Sequence, residues 1–213
     1  MNAVLSPTVI DPPLWPDDLD PDAPPPVLPL MTRDEYLAFD RSALELRYEW
    51  IEGKVRLMSG GTRNHGRTSS NFARLLGNLF ADRPLTVVSQ GTRTHVPDGA
   101  YYYPDVVVEP TEPPIVAGLE DSITAALLII EVLSPSTART DRVEKRREYL
   151  RIPTLENYLI VQPNVREIVR LTRNGDRWGE KSFHDEEIDL PRFDVALPMD
   201  AIYEDCTPGE RID

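Results

Sequence analysis

The sequence predicts an α/β domain in which a mixed β-sheet core is flanked by helices and extended by additional β-hairpins. Three observations lead there. "TAALLIIEVLS", residues 124–134, is apolar on both faces, as a central strand covered on both sides requires. "NHGRTSSNFARLLGNLFADR" places Phe72, Leu75, Leu76, Leu79 and Phe80 at helical spacing. Around these lie β-rich runs parted by Gly, Pro and Asn-Gly turn signals.

The 213 residues, 40% hydrophobic and 28% charged, suffice for one domain with a sizeable core. The longest apolar run, residues 123–133, is about half of the ~20 residues that a membrane-spanning helix needs, and it contains Glu131, so no membrane segment is expected. The N-terminus lacks the basic, apolar and small-residue order of a secretory signal, and Cys206 is the single cysteine, which points to a cytoplasmic protein without an intrachain disulfide. A net charge of -13 argues at first against nucleic acid, because phosphate binding needs Lys and Arg to displace counterions. Its distribution answers that objection. Of 36 acidic and 23 basic residues, five Asp lie in 1–30, and ten acidic with two basic residues lie in 185–213; 21 of each remain between, where a basic patch can form.

Residues 1–30 carry nine of the 21 prolines and read as a Pro-rich acidic lead-in, extended or disordered. The domain is expected over 31–203, with an acidic C-terminal tail at 204–213. "TRDEYLAFD" predicts a short helix with Thr32 as N-cap and Glu35 completing a capping box. "YEWIEGKVRLMSG" predicts a strand pair turning near Glu52 and Gly53. A helix from about His65 to Ala81 follows and ends before Pro84. "LTVVSQGTRTHV" and "YYYPDVVVE" read as antiparallel neighbours about the turn Pro97–Gly99. After the central strand, "TDRVEKRREYLRI" predicts a short basic helix with Asp141 and Glu144 at capping-box spacing. "ENYLIVQP", "REIVRLTRNG" and "RWGEKSFH" complete the strands, the last two joined at "NGD".

Two carboxylates stand out. Asp105 begins an apolar strand and Glu131 interrupts the central one. An uncompensated charge in such surroundings costs on the order of several kcal/mol, unless a cation answers it. A divalent ion could do so, since Mg²⁺ takes a few carboxylate oxygens and keeps its other positions for water and phosphate. Lys145, one of three lysines beside twenty arginines, would add a compact positive charge. On pattern alone the plainer alternative stays open: carboxylates at strand ends in solvent or paired with Arg, and Lys145 on a solvated helix face.

Read together and in order, "YEWIEGKVRLMS", His65, "YPDVVVE", "IIEVLSPST", "DRVEKRREY" and "ENYLIVQP" resemble the Uma-type putative restriction endonuclease family within the PD-(D/E)XK nuclease superfamily, over about Met31 to Tyr203. The resemblance implies a restriction-endonuclease-like core and a Mg²⁺-dependent endonuclease acting on DNA, with Mn²⁺ able to substitute. It implies Asp105 and Glu131 as metal ligands, with the Val132 carbonyl and Glu49 completing the set. The superfamily lysine two residues after the Glu is Leu133 here; in similar families it has moved to the following helix, which fits Lys145. His65 and Gln90 are auxiliary candidates, and Arg139, Arg142, Arg146 and Arg147 are candidates for the nucleic-acid backbone. Superfamily nucleases often pair two sites, so a homodimer is expected. The alternative is a catalytically inactive nuclease-fold module that binds nucleic acid or a protein partner, as the missing strand lysine and the acidic tails would favour.

Overall fold

Local signals set the first elements. In the computed structural model, which describes residues 28–43, 46–58, 60–135 and 138–213, the chain divides into two compact units, Met1–Met58 and Ser59–Asp213. The Pro-rich stretch up to residue 27 lies outside the described residues.

In the first unit, α1 (Arg33–Ser42) starts at the expected capping box: the Glu35 amide donates to Thr32 Oγ1 at 3.3 Å and the Thr32 amide to Glu35 Oε2 at 2.8 Å. Its buried face meets the following hairpin, where the Tyr36 hydroxyl donates to the Tyr48 carbonyl at 2.7 Å and Phe39 lies against the Tyr48 ring. That hairpin pairs β1 (Tyr48–Ile51) with β2 (Lys54–Leu57). Its two turn residues, Glu52 (φ 47°) and Gly53 (φ 87°), both take the left-handed conformation that a tight two-residue turn demands.

The second unit opens with α2 (Arg63–Leu79), capped by Thr62, whose hydroxyl accepts from the His65 amide at 3.2 Å. The cap sets the start two residues before the expected His65. The two β-rich runs that follow are each cut in two. Gln90 (φ 41°) and Gly91 (φ 90°) turn left-handed and end β3 (Leu85–Ser89) before β4 (Arg93–His95). Pro104, which has no N–H to give a ladder, separates β5 (Tyr101–Tyr102) from β6 (Val106–Pro110). The expected antiparallel pairing therefore occurs twice, in different sheets: β4 with β5 about Pro97–Gly99, and β3 with β6. Parallel to β4 runs β7 (Ser122–Ile123).

The central strand is β8 (Leu128–Val132), buried at every residue. It pairs antiparallel with β6 and parallel with β9 (Asn157–Val161). Beyond β9 lie β10 (Ile168–Asn174) and β11 (Arg177–Phe183), joined at Gly175–Asp176, so a mixed six-stranded sheet runs β11-β10-β9-β8-β6-β3. One face carries Val106, Val108, Leu128, Ile130 and Val132 into the core with Phe72, Leu76 and Phe80 from the α2 segment. The other face carries Glu131.

Between β8 and β9 the chain is helical from Ala138: a π-helical turn over Thr140–Lys145 runs into α3 (Arg146–Tyr149). Asp141 is therefore inside the helix, buried, and not the expected cap, because its carboxylate pairs with Lys145. A small hairpin of β12 (Ile188–Leu190) and β13 (Val195–Leu197) precedes α4 (Met199–Ile202). Among the described residues no helix is long and apolar enough to cross a membrane.

The acidic stretch after α4 packs on this unit. Gln162 clasps the Ile212 backbone, its amide donating to the carbonyl at 2.6 Å and accepting from the N–H at 3.0 Å, and Arg211 grips Glu167 at 2.8 and 3.0 Å. That grip, chiefly the hydrogen bond from Arg211, holds the Glu167 carboxyl below its ordinary pKa against the opposing effect of burial. A folded-state pKa lowered in this way contributes stability above the unfolded value and loses it as pH falls through the folded value. Thermal melts should show Arg211→Ala below wild type at pH 7 by no more than about 1 kcal/mol, since the pair is partly exposed. The difference should shrink as pH falls below the usual glutamate range and through the lowered folded value; a constant difference would contradict the assignment.

Candidate active site

Strand register brings the two conspicuous carboxylates together. In the antiparallel β6–β8 pair Val106 stands opposite Ile130. One step along, Asp105, which stands just before β6 rather than beginning it, falls opposite Glu131, and residues opposed in this register share a face. The Asp105 carboxylate turns back onto the end of the ladder, where Oδ2 accepts from the Val132 N–H at 2.8 Å and Oδ1 lies 3.2 Å from His65 Nε2. Glu131 Oε1 accepts from the Tyr149 hydroxyl at 2.7 Å and from Lys145 Nζ at 3.1 Å.

Lys145 is not on a solvated face. Its side chain is 4% exposed, and its ammonium lies between Glu131 (4%) and Asp141 (1%), the latter at 3.2 Å. The central strand continues into Leu133, buried and with its N–H given to Val161, so the positive charge arrives from the helix instead. The helix is shaped to deliver it. Residues four apart drift around an α-helix by about 40°, and the wider π-turn drifts the other way. Passing through both keeps Asp141, Lys145 and Tyr149, spaced by four, turned toward the sheet.

Aromatic rings enclose this cluster. Tyr149 meets Tyr102 and Tyr158 edge-on, with centroids at 5.3 and 5.4 Å, and Lys145 Nζ lies 5.5 Å from the Tyr102 centroid. The Tyr158 hydroxyl donates to the Asp141 carbonyl at 3.0 Å. Burial raises its pKa well above the ordinary value, and the charges of Glu131 and Asp141 add to that, so it serves as a donor. For His65, burial pulls the pKa down and Lys145 opposes protonation, but the hydrogen bond and charge of Asp105, with Asp141, outweigh both and leave it raised.

The other sequence candidates are placed as follows. Val132 adjoins Glu131 and meets Asp105 through its N–H. Gln90 is just past β3; its amide donates to the Asp105 carbonyl at 3.1 Å while its side chain is exposed. Glu49 is buried on β1 of the first unit, and its metal role rests on the resemblance. Arg139 is exposed, whereas Arg142 donates to the Ile212 carbonyl, Arg146 to Glu180 and Arg147 to Glu148, each within the chain. Sequence reading missed Asp141 and Tyr149 as members of the cluster. The four-residue spacing with Lys145 was the signal available for both.

Among the described residues no group of three or more His, Cys, Asp or Glu could hold a metal ion. The donors at hand are the two opposed carboxylates and the neighbouring Val132 carbonyl. A few hard oxygens of this kind fit a cation that fills its remaining positions with water and phosphate.

Residues 33–200 match the Uma2 family, described as "Putative restriction endonuclease". Two proteins of Synechocystis sp. (strain ATCC 27184 / PCC 6803 / Kazusa) are similar. Uncharacterized protein sll1609 is 32% identical over 149 residues, which span 70% of this chain and 84% of that protein. Uncharacterized protein slr1290 is 29% identical over 186 residues, 86% and 95% of the two. The crystal structure of a putative nuclease belonging to DUF820 from Anabaena variabilis ATCC 29413 matches 81% of this chain and 97% of that one with a TM-score of 0.68. At 18% identity that likeness speaks for the fold.

Removing the ammonium would strand two buried carboxylates. Lys145→Met should lower the free energy of urea unfolding, without added metal, by about 3–5 kcal/mol. A loss below ~1 kcal/mol, the range of surface pairs, would mean that Glu131 and Asp141 are solvated.

Proposed function

Since the chain belongs to the Uma2 family of putative restriction endonucleases, we propose that it is a divalent-metal-dependent endonuclease that hydrolyses phosphodiester bonds in DNA. One observation carries the reading: Asp105, immediately before β6, falls opposite Glu131 of β8 by the register of those strands, with Lys145 against Glu131 at 3.1 Å. A lysine from the following helix thus serves where Leu133 leaves the strand without one.

Asp105, Glu131 and the Val132 carbonyl would hold Mg²⁺, or Mn²⁺ in its place. The chemistry that such an ion would supply there is Lewis-acid polarisation of a phosphate and a lowered pKa of a water. The chain's own groups do the rest. Lys145 offsets negative charge that gathers on the phosphate in the transition state, in surroundings dry enough to make that charge count. His65, against Asp105 Oδ1, keeps the carboxylate oriented. The rings of Tyr102, Tyr149 and Tyr158 exclude water behind the two acids. Arg139, Arg142, Arg146 and Arg147 hold the flanking backbone, which contributes affinity but little sequence choice. Three of them must exchange an intrachain acceptor for phosphate as they do so.

Plasmid and linear DNA with Mg²⁺ or Mn²⁺ test the reading. Wild type should cut and lose activity in chelator, and Asp105→Ala, Glu131→Ala and Lys145→Ala should each fall by roughly 10²-fold or more, the scale of losing one pre-placed electrostatic group. Undiminished cleavage in all three would sink the assignment. DNA binding without turnover, indifferent to chelator, would instead identify a noncatalytic nuclease-fold module. For the basic helix, Arg139→Ala should reduce the slope of log affinity against log salt by about one; an unchanged slope would remove Arg139 from the interface.

A further inference from the structure

We propose that Tyr149 is a positioning residue for Glu131: its hydroxyl and the Lys145 ammonium together fix how the carboxylate is presented toward Asp105 and the cation held there. This rests on the reading of Asp105 and Glu131 as cation ligands.

The terminal torsion of a glutamate is broad and two-fold, so a carboxylate used as a ligand needs something to choose its orientation. Two donors converge on one oxygen of Glu131. Tyr149 gives its O–H to Oε1 at 2.7 Å, and Lys145 Nζ reaches the same oxygen at 3.1 Å. Both come from one continuous helical segment, four residues apart, so a single placement of that segment sets both donors.

The phenol itself cannot swing. Tyr149 is fully buried, and its ring is wedged edge-on between Tyr102 (interplanar 72°) and Tyr158 (69°). A buried tyrosine hydroxyl usually finds a partner, and the partner here differs in kind from those of three other buried tyrosines. Tyr36 donates to the Tyr48 carbonyl, Tyr158 to the Asp141 carbonyl and Tyr203 to the Gln162 carbonyl, each tying down backbone. Tyr149 donates to a side-chain carboxylate at the candidate site, a charge-assisted bond of greater strength and directionality. Hydrogen bonds of this kind behind ligating groups set ligand orientation and affinity.

Tyr149→Phe keeps the ring and both edge contacts and deletes only the donor. Calorimetric titration of the full chain with Mn²⁺ alone, without DNA, compares it with wild type, Glu131→Ala and Tyr203→Phe. Near-UV circular dichroism checks the fold of each beforehand. Wild type should bind, Glu131→Ala should lose binding, and Tyr149→Phe should weaken it by about 10- to 100-fold. Tyr203→Phe, which loses a buried hydroxyl that serves the Gln162 backbone outside the cluster, should stay close to wild type. A purely structural hydroxyl would instead lower the melting temperature of Tyr149→Phe and leave its Mn²⁺ affinity unchanged. That outcome, with Glu131→Ala still impaired, overturns the role of Tyr149 and leaves the cation site standing. No Mn²⁺ binding by wild type, or full binding by Glu131→Ala, overturns the site and the role of Tyr149 with it.

Discussion

A carboxylate in the middle of a buried strand is tolerable only when something close by answers it, and the second unit is organised around meeting that requirement for Glu131. The central strand is apolar on both sides of it, so the answer has to come from outside the sheet. It comes from the helical segment between β8 and β9, which brings the Lys145 ammonium and the Tyr149 hydroxyl to one oxygen. Asp141 shares the ammonium from the other side. The cluster therefore holds two acids and a lysine behind aromatic rings, and next to it Asp105 leans on His65 and the Val132 N–H. Taking one partner out of such an arrangement is costly, because desolvated charges have no water to fall back on.

That constraint also explains what could be read from the sequence and what could not. The capping box at Thr32 and Glu35, the turn at Glu52 and Gly53 and the helical spacing in α2 are local signals, and the structure carries all three, with Phe72 and Leu76 buried but Leu79 exposed. The two-sided burial of β8 is local as well. Asp141 and Glu144 show the same capping-box spacing as Thr32 and Glu35, yet Asp141 is drawn inward by a lysine four residues on and a sheet that the local pattern does not reveal. The breaks at Gln90 and Pro104 depend on one backbone angle and one missing N–H, which a β-rich composition conceals. Of the candidate site, the acids and the lysine were expected from the ordered motifs; for Asp141 and Tyr149 the sequence offered only a four-residue spacing from Lys145, and their places around Lys145 and Glu131 show once the helix is set against the sheet.

The segment 139–149 does two jobs with two faces. Asp141, Lys145, Glu148 and Tyr149 are buried, while Arg139, Val143 and Arg147 face solvent. Much of the outward charge is already engaged: Arg146 with Glu180, Arg147 with Glu148, and Arg142 with a carbonyl of the acidic C-terminal stretch that Gln162 clasps. If the chain binds DNA as proposed, phosphate would replace these acceptors rather than meet bare guanidinium groups, which would moderate nonspecific affinity in a chain of net charge -13. The inward face is different, since its ions are desolvated and fixed.

On the proposed reading, Asp105 just before β6 and Glu131 of β8 form a cation site served by a lysine from the next helix. A crystal soaked in Mn²⁺ and measured for anomalous scattering tests it most directly. The account predicts one peak within about 2–2.5 Å of an oxygen from each of Asp105 and Glu131, with Lys145 still in hydrogen-bond reach of Glu131. No peak there at saturating Mn²⁺, or a peak elsewhere that neither carboxylate touches, would contradict it.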